Sequence, residues 1–65
     1  MTGIENIYLN TSINGMNKAQ TDKKIDEIVA FAELGEFIHQ PIKTYSSGMK
    51  ARLAFALSIN VDPDI

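Results

Sequence analysis

The stretch from Ser46 or Ser47 to about Asn60 is apolar or small almost all the way round, and no other feature constrains the fold as strongly. At helical spacing Met49, Leu53, Ala56 and Leu57 line one side of it. Ala51, Ala54, Phe55 and Ser58, all small or apolar, line the other. A helix of that composition expects burial on both sides. In 65 residues there is room for about two more helices, and two amphipathic neighbours cover only one side comfortably. The pattern predicts a mainly α chain of about three helices whose third member lacks a partner surface.

The other two helices are written in local signals. Thr2-Gly3-Ile4-Glu5 has threonine three residues before glutamate, the spacing of a reciprocal capping box. Ile4, Ile7, Tyr8 and Thr11 then share one face, with Leu9 and Ile13 on another, until Asn14-Gly15 stops the helix. A second helix is expected from Asn17 or Thr21, with Ile25, Ile28, Val29 and Ala32 as its buried stripe. Leu34-Gly35 is expected to cap its C-terminus, because glycine tolerates the left-handed conformation there. A short turn over Glu36–Ile38 then precedes Gln40-Pro41, where proline pushes the residue before it away from helical geometry.

Composition removes several function classes. A chain this short buries only about 60% of its unfolded surface. No cysteine is present, so there is no disulfide framework and no thiolate metal site. A single histidine, His39, excludes a multi-histidine site, and it reads as an exposed loop residue. The basic residues Lys18, Lys23, Lys24, Lys43, Lys50 and Arg52 are scattered in a chain of net charge −2, so no nucleic-acid footprint is expected. No apolar run approaches the roughly 18–20 residues of a membrane span, and Met1 is followed by polar residues instead of a leader pattern. The expectation is a soluble, intracellular chain with no metal and no catalytic residue of its own.

Chemistry concentrates at Thr44–Arg52, where a small polar, glycine-bearing turn enters the third helix. The first turn of a helix leaves backbone N–H groups without intrahelical partners. With the positive end of the helix dipole they form a ready anion site. Read alone, Ser46 is easily explained as an ordinary N-cap, since helix N-termini are common and mostly structural. Lys50 and Arg52 read as solvated or interface-facing, and the Met49 side chain as core. Tyr45 reads as packing beneath the turn, with stacking on a bound ligand as the alternative.

Tyr45-Ser46-Ser47-Gly48-Met49-Lys50-Ala51-Arg52 resembles the signature motif of ATP-binding cassette (ABC) ATPases, LSGGQ in its usual form. Thr2-Gly3-Ile4-Glu5-Asn6-Ile7 resembles the LT-x-x-EN segment that opens the helical subdomain of that family. Val61-Asp62-Pro63-Asp64-Ile65 resembles the turn that leads into the Walker B strand. The departures are Tyr45 for leucine, Ser47 for the first glycine and Met49 for glutamine. Together with Phe31–Ile38, this YSSGM variant resembles the branch that energises export of O-antigen, capsule and wall teichoic acid.

The resemblance implies that residues 1–65 are part of an ABC nucleotide-binding domain. That part is the helical subdomain of a P-loop α/β domain, without the sheet core. The signature lies at 45–49, and no G-x-x-x-x-G-K-[ST] loop or Walker B acid is included. It implies that Ser46, Ser47, Gly48 and Met49 contact the γ-phosphate of ATP held by an opposing subunit in a head-to-tail dimer. ATP and Mg²⁺ are then cofactors of the parent dimer, with none expected on the isolated segment. A membrane-embedded permease subunit is the second implied partner, near the Asn14-Gly15-Met16 turn, and the implied location is the inner face of the bacterial membrane. Two other readings stand beside this one. The first is a stand-alone helical interaction module using the uncovered face of the third helix. The second is a DNA-binding helix-turn-helix, against which the acidic balance argues.

Overall fold

The computed structural model describes residues 1–61, so Asp62–Ile65, the end of the expected Walker B turn, lies outside the described residues. Three helices form: α1 (Gly3–Ile13), α2 (Lys18–Ala32) and α3 (Ser47–Asn60). Two 3₁₀ turns, Gly35–His39 and Ile42–Thr44, carry the chain from α2 to α3. The mainly α, three-helix expectation is met. Among the described residues β-pairing is confined to an isolated bridge between Thr2 and Pro41.

The local signals act where the sequence places them. Thr2 Oγ1 accepts from the Glu5 N–H at 3.1 Å while the Thr2 N–H donates to Glu5 Oε1 at 2.8 Å. A second reciprocal box starts α2, where Asn17 Oδ1 accepts from the Gln20 N–H at 2.8 Å and Gln20 Oε1 from the Asn17 N–H at 2.9 Å. It decides between the two expected starts in favour of Asn17. Thr21, the other expected start, is instead buried in the second turn.

The end of α2 differs from expectation. Its left-handed cap is Glu33, at φ 51° and ψ 38°, and not Leu34-Gly35. The reason lies in the core: the helix stops short of that pair so that Leu34 turns inward, where it is buried. Arg52 Nη1 reaches the Glu33 carbonyl at 3.5 Å. Gly35 then opens the first 3₁₀ turn, also at positive φ.

The core forms where the three helices and the two turns meet. Ile7, Ile28, Ala32, Ile38, Leu53, Ala56 and Leu57 are buried in it, with Ile4, Met16, Ile25, Val29, Ile42 and Met49 packed against its edge. Two threonines sit inside the same core: Thr11 Oγ1 and Thr21 Oγ1 lie 2.7 Å apart, joining α1 to α2. Lys24 Nζ donates to the Asn60 carbonyl at 3.2 Å and so caps the C-terminus of α3. The far face of α3 stays uncovered as the composition predicts, with Phe55 60% and Ile59 45% exposed.

Candidate functional site

Ser46 is the N-cap of α3, held in extended backbone conformation. Its Oγ accepts from the Met49 N–H at 3.2 Å, and its carbonyl accepts the Lys50 N–H at 3.0 Å. The amides of Ser47 and Gly48, ahead of these two, have no partner among the described residues. They stand with the positive end of the α3 dipole. Ser46, Ser47 and Gly48 are exposed, whereas Met49 is half-buried and packs its side chain against the core. A Cβ built on Gly48 meets nothing nearer than Ser46 Oγ at 3.9 Å, so the space beyond it is open.

What precedes the helix is tied down. The Ile42 N–H donates to the Met1 carbonyl and the Tyr45 N–H to the Ile42 carbonyl, both at 2.8 Å. Thr44 Oγ1 donates to the Pro41 carbonyl at 2.7 Å. Tyr45, adjacent to the cap, is only 6% exposed. It packs beneath the turn and is not available for stacking on a ligand. Its phenol donates to the Phe37 carbonyl. Burial pushes that phenol above its ordinary pKa, with the Gly3 N–H opposing.

The two cations after the turn go separate ways. Lys50 is exposed at the rim of a groove of about 490 Å³ between α1 and α3, across from Asn6, Asn10 and Asn14. Arg52 turns toward the end of α2 and the Glu33 carbonyl, a contact with no signal in the sequence. His39 is exposed at the end of the first 3₁₀ turn. Gly3 was also not legible as part of the site. A Cβ there would lie 2.5 Å from Tyr45 Oη and 2.9 Å from the Ile38 carbonyl oxygen, which only glycine avoids.

Beyond the turn, one polar cluster stands on the surface. The Tyr8 hydroxyl donates to Asp22, which also pairs with Lys18 at 3.0 Å. The Tyr8 bond and then the Lys18 ammonium hold the Asp22 carboxyl below its ordinary value. Among the described residues no three His, Cys, Asp or Glu side chains gather as a metal site. Nor is any helix long and apolar enough to cross a membrane.

No protein-family model matches the chain. Individual proteins do. The O-antigen export system ATP-binding protein RfbB of Myxococcus xanthus is 58% identical over 64 residues, which is 98% of this chain and 15% of the relative. A teichoic acids export ATP-binding protein, TagH, of Bacillus cereus is 52% identical over 65 residues, all of this chain and 12% of the relative. The Klebsiella pneumoniae O-antigen export system ATP-binding protein is 48% identical, again over the whole chain and 26% of its own length. Over its whole length the chain is thus similar to ATP-binding proteins of O-antigen and teichoic acid export. It spans between 12% and 26% of the length of these export ATP-binding proteins. The identity extends over essentially the whole of this chain.

Proposed function

We propose that this chain is the helical, signature-bearing segment of the ATP-binding subunit of a bacterial surface-polysaccharide exporter. Its Ser46–Met49 turn closes the ATP site of an opposing subunit. The observation that carries the reading is the exposed head of α3, where the Ser47 and Gly48 amides lack partners and open space lies beyond Gly48.

The residues suit an anionic ligand. Ser46 Oγ accepts from the Met49 amide, which leaves its own O–H free to donate to a phosphate oxygen. The Ser47 and Gly48 amides add donors along the dipole axis, and Gly48 without a side chain permits close approach. Met49 contributes the turn's geometry, since its amide is committed to Ser46 and its side chain to the core. Donors fixed before the reaction help most where phosphoryl charge develops, because no reorganisation is needed at that moment. ATP supplies the transferable phosphoryl group and, with Mg²⁺, binds mainly to the opposing subunit. No magnesium ligand is assigned to this segment. In the parent, closure of the dimer on ATP is transmitted to a membrane-embedded permease that moves the glycan.

Gly48→Asp in the full-length protein tests the reading. A carboxylate would then face the phosphates, and ATP turnover is expected to fall by at least about 100-fold. Nucleotide binding by the opposing half-site is expected to persist. Misfolding does not explain such a loss, because the site has room for a side chain and an acid in the first turn favours the helix. Wild-type turnover in this variant removes the α3 turn from the mechanism.

The uncovered faces of α2 and α3 favour a second reading, a stand-alone interaction module. Exposed Phe31 and Phe55 flank Arg52 there. A module binds its partner without nucleotide, and nucleotide-independent pull-down of one stoichiometric partner by the isolated chain would decide for it.

A further inference from the structure

We propose that Tyr45 is a positioning residue for closure of the ATP site, setting the height and direction of the Ser46–Met49 turn through its phenol. The inference rests on the function proposed above and deepens it.

Tyr45 is the last residue before the N-cap of α3, so any shift of its backbone moves Ser46 directly. Its main chain is held from behind by the Ile42 carbonyl at 2.8 Å. The ring is buried, and the phenol donates to the Phe37 carbonyl in the first 3₁₀ turn. On its other side the oxygen abuts Gly3, where even a methyl group would come within 2.5 Å of it. One side chain thus joins the head of α3, the 3₁₀ turn and the first turn of α1. Leucine, the usual residue of the motif, offers no hydroxyl to make that junction. The Phe37 carbonyl also accepts the Gln40 N–H at 2.9 Å, so it keeps a partner when the phenol is removed. The bond to Tyr45 is therefore dispensable for satisfying the carbonyl but not for locating the turn.

Donors to a reacting group tolerate little displacement, and a shift of about 1 Å can cost about 100-fold in rate. Loss of one of several anchors is expected to give a smaller effect. In the full-length protein Tyr45→Phe removes the hydroxyl and keeps the ring. We expect kcat for ATP to fall about five- to tenfold with KM within about twofold, because the opposing subunit holds the nucleotide. Ile28→Val is the stability control, since it deletes one buried methyl group from α2. It is expected to lower the melting temperature comparably and to leave kcat unchanged.

A wild-type kcat in Tyr45→Phe overturns the inference. So does a loss of kcat that tracks melting temperature equally in both variants. If Tyr45→Phe melts below the assay temperature, the same comparison is made in the cold, where the same two results overturn it. Gly48→Asp separates the two levels of argument. If that variant turns over normally, the function itself fails and Tyr45 has nothing to position. If it is inactive while Tyr45→Phe is normal, only the positioning role fails.

Discussion

The Thr11–Thr21 pair is the sharpest test of how this small core holds together. Both residues are buried, at 0% and 1% exposure, with their hydroxyl oxygens 2.7 Å apart. Thr11 Oγ1 also lies 3.1 Å from the Tyr8 carbonyl and Thr21 Oγ1 3.2 Å from the Asn17 carbonyl. Each hydroxyl has one proton, so one threonine donates across the interface while the other donates back to its own helix. Replacing either by valine keeps the shape and removes the cross-helix bond, at about 1 kcal/mol. The remaining hydroxyl is left facing a methyl group, although it still reaches its own carbonyl. In a chain of this size about 1 kcal/mol lowers Tm by roughly 4–8 °C. The double variant replaces both partners by apolar groups of the same shape, which is close to neutral. Thr11→Val and Thr21→Val are therefore each expected to lower Tm, and the double variant to recover most of the loss. The coupling is about 2 kcal/mol in magnitude in a double-mutant cycle read by circular-dichroism melting, because two losses of about 1 kcal/mol nearly vanish when combined. Additive losses would falsify the claim that the two hydroxyls satisfy each other.

Other consequences follow from single residues. Glu33→Gly relieves a left-handed conformation carried by a residue with a Cβ, so the chain is expected to gain about 0.5–1 kcal/mol, measured by denaturant titration. A loss there would mean that the Glu33 side chain contributes something the geometry does not display. Acid is expected to destabilise the chain through two exposed carboxylates. Thr2, through its backbone N–H and then its hydroxyl, holds Glu5 below its ordinary 4.5, and Tyr8 and Lys18 hold Asp22 below its ordinary 3.8. Both contributions are present above those values and vanish as pH falls through the lowered ones. Melting temperature should be flat from about pH 7 to 5 and decline below, and Asp22→Asn should shallow the lower part of that decline. Added salt should shrink the Asp22 share, since the Lys18 pair is open to solvent.

Several elements were legible because their causes are local. The capping box joins Thr2 and Glu5, three positions apart, and the hydroxyl cap joins Ser46 and Met49 at the same separation. Asn14 and Gly15 end α1 as their residue types require, with Gly15 at φ 88°. The box at Asn17 and Gln20 has the same range, and the sequence narrowed the start of α2 to Asn17 or Thr21 without choosing. Thr21 misled because a threonine is as much a cap in composition as a core hydroxyl. The end of α2 was misplaced for a related reason. Gly35 satisfies the local rule for a left-handed cap, but burying Leu34 is worth more than the strain at Glu33.

The chain by itself thus determined three helices, their start signals, the oversupply of apolar surface on α3 and the resemblance to an ATPase branch. Those follow from side chains within one helical turn of each other, or from motif order along the chain. Tertiary structure alone decided that Thr11 meets Thr21, that Arg52 reaches the end of α2 and that Lys24 caps α3 across 36 residues of chain. It also decided that Tyr45 is held against the Phe37 carbonyl and Gly3. Such contacts exist only once the helices have packed, because hydrogen-bonding groups far apart in sequence have no preferred partner until burial removes water from between them.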